Sequence, residues 1–180
     1  MAVSIAEFPS DWSSALVLVA HPDDPEYGMA AAVDEVEFWG FPDSELFNTP
    51  ELREKIAETI VRVNPDIVLS LYGGPEWGPG LPNQRDHIEF AAAVVEAFDE
   101  LPDPPRGLFV NGPGSTHAVE VDDFTELAVD SLAEHDVYLS VLAPDTPVID
   151  QARAQVDMTT GSIDGFPAAR ACGLTQIRPV

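Results

Sequence analysis

The chain alternates short apolar runs with longer segments whose apolar residues recur every three or four positions. Ala15 to Ala20 (ALVLVA) is a continuous apolar run of the kind a buried parallel strand shows, and Ile67 to Tyr72 is another. Leu108 to Val110 and Ala118 to Val121 are shorter strand candidates. Val36 to Trp39 also reads as a strand, closed by the turn Gly40-Phe41-Pro42-Asp43. Helical patterns lie between these runs. Glu26 to Val33 has room for two turns. Thr49 reads as an N-cap with Pro50 at the first helical position, and Leu52, Ile56, Ile60 and Val63 repeat behind it as far as Pro65. A further helix is predicted from Asp86 through Ile88, Ala91, Ala92, Val95 and Phe98, ending in the proline-rich turn at Leu101 to Arg106. Asp122 is placed to cap a helix with the apolar stripe Phe124, Leu127, Ala128, Leu132, Tyr138, Leu139 and Leu142, which puts His135 in the core. A last helix covers Val148 to Met158.

Strands alternating with helices predict a three-layer, Rossmann-like α/β fold, a mostly parallel sheet flanked by helices, in a single domain over residues 1–180. In such sheets ligands bind beyond the carboxyl ends of the strands. Two unpatterned segments are expected there: the one after Ala20, and the stretch from Gly73 to Arg85. Long irregular loops in compact domains tend to carry function.

Composition narrows the classes of function. With 45% apolar residues against 12 Gly and 17 Pro, the chain has material for a core and is not a disordered acidic tail. Eight basic against 32 acidic side chains give a net charge of -24, which repels phosphates and excludes nucleic acid as a partner. No apolar run approaches the roughly 18 residues that span a bilayer, so no membrane insertion is expected. The first residues, MAVSIAEFPSDWSS, lack the basic and apolar regions of a signal peptide, and a cytoplasmic protein is expected. The single cysteine, Cys172, excludes an internal disulfide and a cysteine-based zinc site and reads as an inert buried thiol. Lys55 is the only lysine, and the acids are spread from Glu7 to Asp164. That spread reads as a solvated acidic surface, of the kind a high-salt interior tolerates because salt screens self-repulsion.

Two clusters carry chemistry. His21-Pro22-Asp23-Asp24-Pro25-Glu26 delivers an imidazole and three carboxylates directly after a strand, with two prolines restricting the backbone. Imidazole nitrogen with carboxylate oxygen is the ligand set of a catalytic zinc, which needs three protein ligands and an open position. The alternative is a capped turn, with Asp23 or Asp24 as N-cap and Glu26 in the first helical turn. Asn83-Gln84-Arg85-Asp86-His87 follows the second long loop. His87 is a candidate third ligand with Asp86 as its outer partner, or the pair is a solvated helix cap.

Together these residues resemble the PIG-L/LmbE-type zinc-dependent N-acetylglucosaminyl deacetylases. The resemblance rests on Ala20-His21-Pro22-Asp23-Asp24-Pro25-Glu26, on Asp86-His87, and on Val36 to Asp43 (VEFWGFPD). Tyr72 to Gly80 (YGGPEWGPG) and Thr116-His117-Ala118-Val119 add to it, so that it spans nearly the whole chain. It implies His21, Asp24 and His87 as ligands of one Zn2+, with other divalent ions also accommodated, and Asp23 as general base. The implied substrate is a small N-acetylated molecule such as an N-acetylglucosamine conjugate, cleaved to acetate and an amine. Glu26, Trp77, Asn83 and Arg85 are candidate substrate contacts, Trp77 through stacking on a sugar face. A homo-oligomer is compatible with the resemblance.

The sequence departs from the family pattern twice. Three residues before the metal-binding His, many members carry another His, where this chain has Gln84, which can stabilise an oxyanion but cannot deliver a proton. Proton delivery then falls to Asp23 or to His117. Several dozen residues expected between the first helix and the Val36 strand are also missing, so a deletion or omitted segment is expected at 33/34, with one strand-helix unit lost. A non-catalytic, truncated paralogue that binds metal or ligand without turnover is the alternative function. A nucleotide-binding domain is a weaker one, since no glycine-rich phosphate loop follows a strand.

Overall fold

The structure, a computed structural model, describes residues 5–29 and 35–179. In chain order its strands are β1 (Ala6–Glu7), β2 (Ala15–Leu18), β3 (Ile67–Ser70), β4 (Glu76–Gly78), β5 (Leu81–Pro82), β6 (Gly107–Val110), β7 (His117–Glu120) and β8 (Ala171–Pro179). The helices are α1 (Asp24–Met29), α2 (Pro50–Val63), α3 (Arg85–Asp99), α4 (Thr125–Ala133), α5 (Asp136–Leu142) and α6 (Val148–Thr159). Six strands form one sheet in the order β1-β7-β8-β6-β3-β2, in which only β8 runs antiparallel to its neighbours. The result is a mostly parallel, mixed sheet flanked by helices, a Rossmann-like α/β fold.

Alternation along the strands sorts the core onto two faces. Leu18, Val68 and Leu108 pack against Leu52, Ile56 and Ile60 of α2 and against Phe90, Val94 and Phe98 of α3. Ile67, Phe109 and Leu174 turn to the other face with Phe8, where the Phe8 and Phe109 rings meet edge-on at 4.9 Å. The helices α4, α5 and α6 share a separate cluster of Ala128, Val129, Leu132, Leu139, Ala152 and Val156, joined by Tyr27 of α1. Thr49 caps α2 by accepting from the Leu52 amide, and Asn64 ends that helix in the left-handed conformation. Cys172 is buried in β8, and burial pushes its thiol up to about 11. Among the described residues no helix is long and apolar enough to cross a membrane.

Several expectations are corrected. Val36 to Trp39 is not a strand: the segment lies along α2, where Glu37 pairs with Lys55 at 3.2 Å and Arg62 at 2.6 Å and Lys55 covers the Trp39 ring. Val36 and Phe38 are left 60% and 73% exposed. The stretch after Tyr72 is not wholly irregular, because β4 and β5 pair as a short antiparallel hairpin. The long helix expected from Asp122 is broken at Glu134–His135 into α4 and α5. Phe124, Leu127, Tyr138 and Leu142 are consequently exposed, and His135 is partly exposed instead of in the core. The strand β8 had no counterpart in the sequence reading. The 33/34 junction lies outside the described residues. Among those described, no strand pairs with the outer side of β2, which makes it an edge.

Candidate metal centre

The site lies where β2 and β3 end. Leu18 is in register with Ser70, and the Ser70 hydroxyl donates to the Leu18 carbonyl at 2.9 Å, so the two chains leave the sheet side by side. Beyond β2 the prolines Pro22 and Pro25 shape the turn into α1. Asp24, buried at the first residue of that helix, accepts from the Ala20 and His21 amides at 3.1 and 2.7 Å through Oδ2. Beyond β3 the chain passes through the β4–β5 hairpin into α3, whose first turn carries the buried Asp86 and His87.

His21, Asp24 and His87 converge. His21 Nδ1 lies 3.2 Å from His87 Nε2, His87 Nε2 lies 3.1 Å from Asp24 Oδ1, and His21 Nδ1 lies 3.6 Å from Asp24 Oδ2. One donor atom from each of the three residues lies within 4.8 Å of the others, so the group could hold one small divalent cation. The outer nitrogens fit the same assignment. His87 Nδ1 faces Asn83 Oδ1 at 3.0 Å, while His21 Nε2 faces Asp43 at 3.2 Å and Asp86 at 3.7 Å. An N–H donated outward on each ring leaves the inward nitrogen a lone pair, the tautomer a metal ligand requires. His21 with Asp43 and Asp86 forms a second acidic group on the far side of the same ring.

The other sequence candidates fall into three groups. Asn83, Asp86 and Arg85 are engaged with protein atoms around the centre. Asn83 Nδ2 donates to the Tyr72 and Gly74 carbonyls while its Oδ1 accepts from the Gln84 amide and faces His87, so the residue fixes the loop and the ring together. Arg85 donates to the Ser44 carbonyl and stacks 4.5 Å from the Phe47 ring centroid. Trp77, Asp23 and Gln84 lie next to the three converging residues in space or in sequence. Trp77 stands edge-on to His87 at 6.5 Å and packs on Tyr72 at 5.2 Å, and Gln84, at the exposed N-terminus of α3, caps no amide with its side chain. Asp23 is partly exposed beside Tyr27, whose hydroxyl is buried without a hydrogen-bond partner among the described residues. Burial pushes that hydroxyl up to about 12, with Tyr138 and Asp23 adding to the effect.

Glu26 and His117 are not brought into the triangle. The buried Glu26 Oε2 points towards His135 Nε2 at 3.9 Å, between α1 and the α4–α5 break. His117 sits on β7, three strands from β3, or roughly 14 Å across the sheet. Its Nδ1 meets Thr116 Oγ1 at 2.9 Å and its ring meets Phe109. Asp43, at the end of the Gly40-Phe41-Pro42-Asp43 turn, joins the site without any sequence pattern that assigns it a role.

No protein-family model and no curated protein sequence matches the chain. Solved structures do share its fold. The conserved protein TT1542 from Thermus thermophilus superposes with a TM-score of 0.68 at 18% identity, over 93% of this chain and 96% of that one. GalB, the 4-carboxy-2-hydroxymuconate hydratase from Pseudomonas putida, superposes with a TM-score of 0.58 at 15% identity, over 93% of this chain and 98% of that one.

Proposed function

We propose that the chain is a metal-dependent hydrolase that removes the acetyl group from an N-acetylglucosamine conjugate or a similar small N-acetylated metabolite. The observation that carries this reading is the convergence of His21 Nδ1 and His87 Nε2, 3.2 Å apart, on the Asp24 carboxylate, whose Oδ1 lies 3.1 Å from His87 Nε2 and Oδ2 3.6 Å from His21 Nδ1. Two imidazoles and a carboxylate suit Zn2+, and iron or cobalt also accept this set. When bound, such an ion supplies a Lewis acid that polarises a carbonyl and lowers the pKa of water to about 7.

The chain's own residues divide the remaining work. Asp23, adjacent to the ligand Asp24 and partly exposed, takes the proton of the attacking water and returns it to the departing amine. Gln84, exposed at the start of α3, donates a hydrogen bond to the developing oxyanion. Trp77 offers an aromatic face to a sugar ring next to His87. His117 lies too far across the sheet to donate a proton in this scheme, which leaves Asp23 to act in both directions.

A second reading, a paralogue that holds metal without turnover, is favoured by Gln84 in place of an assisting imidazole and by the edge at β2, unpaired among the described residues. A hydratase among the fold neighbours adds no weight to the deacetylase reading, because a fold does not fix its chemistry. Zinc-loaded protein incubated with N-acetylglucosamine conjugates should release acetate, and chelation should stop it. Asp23→Asn should keep the zinc while turnover falls by about 10²–10⁴-fold. Stoichiometric zinc with no acetate from any conjugate would establish the second reading instead.

A further inference from the structure

Asp43 is 81% exposed, yet its Oδ1 lies 3.2 Å from Nε2 of the half-buried His21, closer than the buried Asp86 at 3.7 Å. A solvated carboxylate usually stays in water unless its backbone is held. Here the backbone is held at several points by the N-terminal part of α3. Arg85 donates to the Ser44 carbonyl and stacks on Phe47, the Leu46 amide donates to Asp86 Oδ2 at 3.5 Å, and the Asn48 amide donates to Glu89 at 2.9 Å. Ser44, at φ 64°, takes the left-handed conformation that turns the chain sharply after Asp43. Leu46 anchors the segment in the core between α2 and α3.

We infer that Asp43 is a positioning residue for the metal centre: clamped by Arg85, it accepts the Nε2 proton of His21 and so presents Nδ1 to the ion. The inference rests on the metal-centre reading above. A carboxylate on the outer nitrogen of a ligating histidine fixes its tautomer and ring orientation and raises its donor strength, and loss of such a partner weakens metal binding by about 10–100-fold. Asp86 remains within reach as a second acceptor, so the effect lies near the lower end. Arg85 acts through the same contact. The guanidinium is therefore committed to the Ser44 turn and is not free to hold an anionic substrate.

The test is Zn2+ affinity by chelator competition on the full chain, for wild type, Asp43→Ala, Asp43→Asn, Arg85→Ala and the Asp43→Ala/Arg85→Ala double variant. Asp43→Ala should bind about tenfold more weakly, and Asp43→Asn, whose Oδ1 still accepts, should recover part of the loss. The double variant should be little worse than either single one, because both remove one contact. Melting of the metal-free Asp43→Ala protein should equal that of wild type. Unchanged affinity in Asp43→Ala, or a lowered metal-free melting point, overturns the inference while leaving the centre intact, provided that His21→Ala abolishes binding. Two zinc equivalents in wild type falling to one in Asp43→Ala overturn it as well, since Asp43 would then be a ligand. Wild type that binds no zinc overturns both the inference and the reading on which it rests.

Discussion

Each imidazole of the centre is held from outside by oxygen, but His21 has two carboxylates in reach while His87 has the neutral amide of Asn83. The neutral partner polarises its ring less but is the better anchored, since Asn83 also bonds two loop carbonyls. Asn83→Ala should therefore weaken zinc binding by about 10–100-fold and loosen the Tyr72 to Gly74 turn. Chelator competition reads the first effect, and hydrogen exchange at the turn reads the second. Full affinity in Asn83→Ala would mean that packing against Trp77 alone orients His87. The convergence of His21, Asp24 and His87 was legible because each follows closely on an apolar strand or its loop, and parallel strands collect such loops at one end. Asp43 was not legible. Its approach to His21 depends on the left-handed turn at Ser44 and on the Arg85 clamp, neither of which leaves a spacing signal. The bonds of Asn83 Nδ2 to the Tyr72 and Gly74 carbonyls and of Arg85 to the Ser44 carbonyl were not legible either, because backbone acceptors leave no mark in a sequence.

At the scale of elements, capping and periodicity decided what could be read. The helix α2 carries Thr49 at its N-cap, Pro50 at its first position and Pro65 two residues beyond its last, so its limits were plain to within two residues. Thr49→Ala removes the bond to the Leu52 amide and should cost about 1 kcal/mol in chemical denaturation, with metal affinity unchanged. A larger cost would show that the cap also steadies the Ser44 turn. The strands β3 and β6 were legible as apolar runs because they are largely buried, and β2 because its apolar run ends in the buried Leu18 even though its other residues are only partly buried. The strand β8 was not, because Gly173, Thr175, Gln176 and Arg178 interrupt its pattern; antiparallel pairing with both β6 and β7 holds it in place. Val36 to Trp39 has strand composition but, among the described residues, no strand pairs with it. Its Trp39 and Glu37 are drawn to α2 by Lys55 and Arg62 instead, and composition alone could not reveal that competition.

At the scale of the molecule, every cationic side chain is committed. The eight basic residues pair as Arg53–Glu96, Lys55–Glu37, Arg62–Glu37, Arg85–Asp86, Arg106–Asp11, Arg153–Glu126, Arg170–Asp157 and Arg178–Asp99. These pairs offset only eight of the 32 acidic charges, so the surface stays strongly negative. Salt has opposed effects on such a surface. It weakens the exposed pairs, whose arginines hold Asp11, Asp99 and Glu126 below the usual carboxylate range, and it screens repulsion among the far more numerous acids. Exposed pairs contribute little individually, whereas 32 acids against eight bases repel over the whole surface, so repulsion should dominate. Raising KCl from about 0.1 to 1 M shortens the screening length from about 10 to 3 Å, and the thermal midpoint should rise across that range. The measurement belongs on metal-free protein, so that screening at the His21 site does not enter. A midpoint that falls with KCl would mean that the ion pairs outweigh the repulsion, and the acidic excess would then need no high-salt environment to be tolerated.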